Sequence, residues 1–438
     1  VSAPGDADAW AFKSAAAGIE WPAVAAPDRA ALIGVLHQLE HSQWLAAERL
    51  DALQMRQVDA VARHAHASVP FYRERWRGIY DPPRPLTRER FADLPLLSRR
   101  ELQDGFEALR SEAVPAGHGA VGEARSSGST GIPIRILKTQ LSLLFWSAFA
   151  LRDHLWHRRD LRGKLAAIRL GKTPGRFANW GQATQGLVET GPAVVLSASE
   201  DIEAQVRWLE REQPDYLLTY PSIVRELARR SLETGSGLRL RDVRTFGELL
   251  APETRELCRR AWNVAVTDAY SAEELGYLAL QCPLLEHYHV QSEGVLVEVL
   301  DQHGRPCAPG EVGRVVVTGL HNFAMPLVRY ELGDFAEVGE PCACGRGLPV
   351  LRRIAGRVRN MLVTSSGERY WPALGDRRFF EIAPVRQRQV VQKEFDLLEV
   401  RLVVASPLTP MQEQRLRELI LSGLPPGLRL QFSYRREI

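Results

Sequence analysis

Between Leu165 and Tyr270 short apolar runs alternate with helix-like stretches, and that alternation restricts the chain to few architectures. Leu165-Ala166-Ala167-Ile168, Ala193-Val194-Val195-Leu196 and Tyr216-Leu217-Leu218-Thr219-Tyr220 read as strands, with Ile202 to Glu212 as a helix between them. Phe246-Gly247-Glu248-Leu249-Leu250 and the helix from Pro252 to Trp262 repeat the unit, and Val264 to Tyr270 adds another strand. Strands separated by helices imply a mostly parallel sheet, so the predicted fold class is α/β. Ligands gather at the carboxyl ends of strands in such sheets, which makes the Tyr220-Pro221-Ser222 turn an expected wall of a site.

The flanks read differently. From about Pro27 to Trp76 leucines recur at three- to five-residue steps, predicting a helical entry whose aromatics Phe71, Tyr72 and Trp76 pack on the main body. Ser98 with Glu101 three residues on predicts a capped helix start. Leu141 to Leu155 predicts an apolar helix in which Trp146 lines a pocket or joins the core. From Tyr288 onward Val295 to Leu300 and Gly313 to Thr318 alternate as strands. A chain of 438 residues exceeds one ordinary core. The expected division is a helical region at 1–80, an α/β body at 81–356 with a β-rich subdomain near 288–356, and a small α+β domain at 357–438.

Composition excludes several classes. A net charge of +3 is small for this length and argues against nucleic acid as a partner. The opening residues, with Asp6, Asp8 and Lys13, carry no apolar run of a leader, and nowhere is there a run of the ~18 apolar residues that a membrane span needs. Five scattered cysteines do not form a disulfide framework, so a reducing, cytoplasmic setting is expected.

Ser126-Ser127-Gly128-Ser129-Thr130-Gly131 is a run of small, hydroxylated and glycine residues able to curl round an anion with N–H and hydroxyl groups inward. A solvated linker has the same composition, but Pro133 and the strand-like Ile134-Arg135-Ile136-Leu137 pin it. Gly171-Lys172-Thr173 lacks the earlier glycine of a P-loop and is followed by Pro174, so it is set aside.

The Ser/Gly/Thr loop resembles the phosphate loop of the adenylate-forming superfamily of acyl-CoA synthetases, luciferases and peptide-synthetase adenylation domains. Four further motifs follow in that family's order. Gly247-Glu248 matches the turn on adenine, Tyr270-Ser271-Ala272-Glu273-Glu274 the aromatic-to-glutamate motif, Arg329 to Asp334 the ribose motif, and Gly356-Arg357-Val358-Arg359 the hinge. From about Phe71 onward the chain looks like the phenylacetate-CoA ligase branch and its CapK-like relatives. The resemblance implies activation of a carboxylic acid, expected to be an aryl acid, by ATP to acyl-AMP and pyrophosphate, then transfer to CoA, a carrier-protein thiol or an amine.

Carried over residue by residue, Ser126, Ser127, Gly128, Ser129, Thr130 and Gly131 would hold phosphates, Glu274 would ligate Mg²⁺ or else be a solvated glutamate, and Tyr270 would face adenine beside Ser271. Asp334 has the acceptor-only carboxylate suited to ribose hydroxyls, and Arg357 a permanent charge near ribose or phosphate. Arg329 is a ligand contact or a structural ion-pair partner. Arg359 stands where the superfamily usually has aspartate or lysine. Trp146, Tyr220 and Ser222 are the expected substrate pocket.

Cys282, His289, Cys342 and Cys344 are zinc ligands in type, His289 being preferred to His287, with buried free cysteines as the alternative. Resembling enzymes end in a lysine-bearing segment, whereas the sequence ends on Leu428 to Ile438. Truncation, replacement by Arg435 or Arg436, a transferase taking a preformed adenylate, and a nucleotide-binding scaffold all stay open, as does a homodimer.

Overall fold

The computed structural model describes residues 10–125, 134–357, 362–363, 369–370, 382–422, 424 and 427–435. Two compact units divide the chain, one of Val1–Leu250 with Cys258–Ala355 and one of Ala251–Leu257 with Gly356–Ile438.

The first unit opens with α1 (Pro27–Ser42), α2 (Ala47–Ser68) and α3 (Pro70–Arg75), then the short α4 (Arg88–Ala92) and α5 (Arg99–Asp104). In α2 the buried positions Leu50, Gln54, Val58, Val61 and Ala65 form one face at helical spacing. Tyr72 and Trp76 are buried and Phe71 packs partly buried beside them, as the sequence led us to expect, and the ring contacts at 4.6 and 5.4 Å run on to buried Tyr80. The Tyr72 hydroxyl donates to Pro326 O and accepts from Val328 N, both at 3.0 Å, which ties these helices to the segment leading to the ribose motif. At α5 the Glu101 N–H reaches Ser98 Oγ and the Glu101 carboxylate accepts from Ser98 N at 2.8 Å, so the capping box forms and fixes Arg99 in the first turn.

Strands β1 (Val121–Arg125) and β2 (Arg135–Thr139) pair antiparallel, Arg125 opposite Arg135. Thr139 then caps α6 (Gln140–Trp156), whose residues 147–154 are all buried. Such a helix packs on nearly every side, and its two buried charges are paired: Arg152 with Glu293 at 2.8 Å and Asp153 with Arg159 at 2.6 Å.

The sheet then assembles from β3 (Leu165–Arg169), β4 (Gly175–Phe177) and β5 (Ala193–Ser197), α7 (Ile202–Glu212), β6 (Tyr216–Thr219), α8 (Pro221–Thr234), β7 (Asp242–Phe246), α9 (Pro252–Trp262) and β8 (Val266–Ala272). It continues through β9 (Gly276–Gln281), β10 (Tyr288–Val290), β11 (Val295–Leu300), β12 (Val312–Gly319), β13 (Tyr330–Val338) and β14 (Val350–Arg357). Among the described residues the order is β11-β12-β13-β14-β10-β9-β8-β7-β6-β3-β5-β4. The five strands β5-β3-β6-β7-β8 are parallel, as the helical connections require. The antiparallel β8–β9 pairing joins the β-rich stretch to them edge to edge in the same sheet. The Tyr220-Pro221-Ser222 turn proves to be the start of α8, with Pro221 in its first turn and Gly235 in the left-handed conformation closing it.

In the second unit β17 (Val385–Glu394) and β18 (Leu397–Val404) pair antiparallel, α10 (Pro410–Ser422) crosses, and β19 (Arg429–Tyr434) returns parallel to β18. Leu398, Val400 and Leu402 alternate toward Leu416 and Ile420 of α10, an α+β arrangement. The short pair β15 (Leu362–Val363) and β16 (Arg369–Tyr370) completes it.

Candidate active site

Three strands converge on one cluster. The end of β8 carries Tyr270 and Ser271, the turn into β9 carries Glu274, and β13 carries Asp334. Tyr270 is buried and its hydroxyl donates to Asp334 Oδ2 at 2.9 Å. Glu274 is only 7% exposed, and Arg99 Nη1 stands 3.6 Å from its Oε1, a charge contact longer than a hydrogen bond. Neighbouring Glu273 points elsewhere, accepting from Lys138 Nζ at 3.0 Å. A buried carboxylate oxygen beside a hydroxyl-carboxylate pair is a donor set suited to a hard cation and a polyhydroxylated ligand.

Ser126 to Gly131, and with them Thr130, lie outside the described residues, as does Arg359. The hairpin strands on either side of that loop are described. Glu123 accepts from Arg135 at 2.8 and 3.0 Å and from Arg125 at 2.9 Å, so these hydrogen bonds hold its carboxyl at about 2 and cross-link the hairpin. Arg357 is the last residue of β14.

The expected pocket residues separate into two places. Gly247, with φ +77, ends β7 beside Tyr220, whose ring lies 4.9 Å from Phe246. There the Glu248 carboxylate accepts from Ser222 N at 2.9 Å and caps α8, which favours a negative group at its N-terminus. Trp146 instead stacks 5.9 Å from Tyr277 and lines a cavity with Glu274 that neither Tyr220 nor Ser222 reaches. Lys138, His321 and Arg99 belong to this neighbourhood and no sequence motif marked them; only the capping box pointed near Arg99.

Arg329 is the structural ion-pair partner of its two readings. It grips Glu298 through Nε at 3.1 Å and Nη2 at 2.9 Å, and Nη1 donates to Leu94 O at 2.7 Å.

Cys282, His289, Cys342 and Cys344 come together with donor atoms all within 4.8 Å of one another. The Cys282–Cys342 Sγ separation is 3.8 Å, close to the edge of a tetrahedron with Zn–S bonds of about 2.3 Å. Cys344 Sγ is 3.3 Å from His289 Nε2, while His287 Nε2 sits 3.0 Å from Cys342 Sγ as a neighbour to the set.

No protein-family model matches the chain. A curated relative is the phenylacetate-coenzyme A ligase of Escherichia coli strain K12, 26% identical over 394 residues that cover 86% of this chain and 88% of that protein. The enzyme of the same name from Thermus thermophilus is 27% identical over 399 residues, 83% of each chain. Over most of its length the chain is thus similar to phenylacetate-coenzyme A ligases, which supports its resemblance to the adenylate-forming superfamily. The crystal structure of 2-hydroxyisobutyryl-CoA ligase in the postadenylation state with 2-HIB-AMP superposes at a TM-score of 0.74 and 18% identity, covering 91% of this chain and 89% of that one. The anthranilate CoA ligase AuaEII with anthranoyl-AMP gives 0.54 and 16%, over 72% and 62%. These structural likenesses confirm the α/β fold, and no described helix is long and apolar enough to cross a membrane.

Proposed function

We propose that this chain activates a carboxylic acid with ATP and passes the acyl group to the thiol of CoA. Support comes from the hydrogen bond of Tyr270 to Asp334 and the buried Glu274 carboxylate on the turn between β8 and β9, in a chain whose curated relatives are named phenylacetate-CoA ligases. In the first step a carboxylate oxygen of the acid bonds to the α-phosphorus of ATP and the bond to the β-phosphate oxygen breaks, releasing pyrophosphate. In the second the thiol sulfur bonds to the acyl carbon, AMP leaves, and the thiol proton passes to solvent.

Asp334 would accept from the ribose hydroxyls, oriented by the Tyr270 hydroxyl, while the Tyr270 ring faces adenine beside Ser271 and the Gly247-Glu248 turn. Ser126 to Gly131 would hold the phosphates and Arg357 would approach them. Glu274 would hold Mg²⁺, which when bound neutralises charge between two anions that must approach each other. Orientation of the two reactants accounts for much of such a rate, so these residues act by holding rather than by supplying a nucleophile. The Cys282, His289, Cys342 and Cys344 donors would hold a structural Zn²⁺.

Acid-dependent ATP–pyrophosphate exchange with Mg²⁺, run over aryl and aliphatic acids, tests the first step, and CoA-dependent AMP release tests the second. Exchange with at least one acid, lost in Glu274→Ala, is the expected result. ATP binding without exchange for any acid would remove autonomous adenylation and leave a preformed adenylate or a scaffold.

A further inference from the structure

Residues in register on neighbouring parallel strands send their side chains to the same face of the sheet. At the carboxyl ends of β5 and β3 the pairing sets Ser197 beside Arg169, and the registers of β3 with β6 and of β6 with β7 carry the same row on to Tyr220 and Phe246. Side-chain contacts follow that row. The guanidinium carbon of Arg169 lies 4.8 Å from the centre of the Phe246 ring, and the Tyr220 and Phe246 rings are 4.9 Å apart. Leu170 N reaches the Tyr220 hydroxyl at 3.4 Å, tying the loop after β3 to β6. The row is open: all four side-chain positions are part-exposed, and Leu170 and Leu249, in the loops after β3 and β7, are 56% and 50% exposed. This is the end of a parallel sheet at which ligands gather.

Arg169 is the unsatisfied member of the row. Among the described residues no carboxylate or carbonyl pairs with its guanidinium, and its Nε is buried without a hydrogen-bond partner. Other arginines of the same unit are spent on carboxylates, Arg152 on Glu293, Arg159 and Arg244 on Asp153, and Arg329 on Glu298. A buried N–H without an acceptor is costly, and a permanent charge held over a ring face lacks only an anion. Beside it the Ser197 and Ser199 hydroxyls are 2.6 Å apart, and their mutual hydrogen bond uses one O–H and leaves the other as a donor.

We infer that Arg169 receives a second carboxylate on the acid that is activated, so that the preferred substrates are dicarboxylic acids. The inference rests on the adenylation reading, which puts the reacting carboxylate near Glu274, after the end of β8. From β3 to β8 is three strand positions, about 14 Å at the usual spacing, so a spacer of several carbons must separate the two acidic groups. That spacer would pass the Tyr220 and Phe246 rings. The forked N–H groups of a guanidinium suit a carboxylate better than an ammonium does.

The test compares acids of one skeleton that differ in the second carboxylate: hexanoic with adipic, octanoic with suberic, toluic with terephthalic. The variants are Arg169→Gln and Arg169→Lys, with urea unfolding to establish that both fold. The readouts are the KM for each acid in ATP–pyrophosphate exchange with the KM for ATP as internal reference, the KM for CoA, and calorimetric binding of the acids without ATP. The expected result is a lower KM for the dicarboxylic member of at least one pair, raised by Arg169→Gln at least tenfold more than that of its parent and partly restored in Arg169→Lys. Equal effects on both members of every pair, or preference for the monocarboxylic members throughout, would overturn the inference. A rise confined to the KM for CoA would also overturn it, by giving the guanidinium to a phosphate instead. Exchange absent for every acid, with dicarboxylic acids still bound in an Arg169-dependent way, would strike the adenylation reading and leave Arg169 as their contact.

Discussion

The hydroxyl of Tyr270 donates to Oδ2 of Asp334 across 2.9 Å, joining two motifs 64 residues apart in the chain. A hydrogen bond to a charged acceptor contributes about 1.5–3 kcal/mol, so removing only the donor should loosen the carboxylate that is to receive ribose. Tyr270→Phe keeps the ring and is expected to raise the KM for ATP about tenfold with a smaller change in kcat. Asp334→Asn should cost more than Tyr270→Phe. Steady-state exchange kinetics check both, and an unchanged KM for ATP in Tyr270→Phe would show that the contact does not orient Asp334.

Glu274 is buried against Arg99 rather than exposed, so its charge is held ready inside the site. Removing that charge while keeping its shape, in Glu274→Gln, should raise the Mg²⁺ concentration at half-maximal exchange at least about tenfold, the scale seen when groups around a metal are altered. Mg²⁺ titration at saturating ATP measures this. A midpoint shared with the unaltered protein would assign Glu274 to Arg99 alone.

The sulfur–sulfur edge of 3.8 Å between Cys282 and Cys342 predicts one Zn²⁺ per chain by elemental analysis. Burial raises the Cys342 thiol well above its ordinary range, a cost that a bound cation would offset by holding the thiolate. Cys282→Ser and Cys344→Ser should each lose the metal and lower Tm by several degrees, because metal-binding free energy is folding free energy. Zinc-free protein with the same Tm as these variants would return the four residues to buried thiols and imidazole.

Much of this arrangement was legible in the sequence, and the limits are physical. Periodicity placed α7 and α9 at their observed bounds and the capping box at Ser98, because each is specified by neighbours in the chain. The preference for His289 over His287 comes from its place leading into a strand, a local signal, and the structure gathers His289 with the three cysteines. The sequence assigns Tyr220 and Ser222, from the carboxyl end of a strand, and Trp146, from an apolar helix, to one substrate pocket. The structure puts the first two at the ends of β6 and β7 with Gly247, and Trp146 over β9. Which strand neighbours which is a long-range property that spacing does not encode. The same holds for His321, whose ring stacks on that of Phe145 from a distant helix.

Neutral burial of His321 also predicts a pH dependence of stability. The folded imidazole titrates at about 3 against 6.5 for the ordinary group, burial dominating over the raising effect of Glu293 and the lowering effect of His118. Between those values the unfolded chain binds the proton that the folded chain does not, so His321 lowers stability as pH falls from 6.5 toward 3. Urea unfolding of the unaltered protein and His321→Leu at pH 7.5, 6, 5 and 4 should therefore show their difference moving in favour of the variant as the solution is acidified. A pH-independent difference would mean that the folded ring takes the proton as readily as the unfolded one.

Arg329 sits in the ribose motif yet spends its guanidinium on Glu298 and on the carbonyls of Ala92 and Leu94. Burial raises the Glu298 carboxyl and the Arg329 charge opposes that rise, so the pair stands or falls together. Arg329→Ala leaves a buried carboxylate without its partner and should cost about 3–5 kcal/mol of stability, whereas replacing both members by apolar residues is often close to neutral. Arg329→Met with Glu298→Leu is accordingly expected to recover most of the loss in urea midpoint. The single variant should also be relatively better off at lower pH, where Glu298 takes up a proton. These stability readouts separate the structural role from a ligand contact: a direct nucleotide contact would instead leave the urea midpoint near its original value and raise the KM for ATP in single and double variants alike.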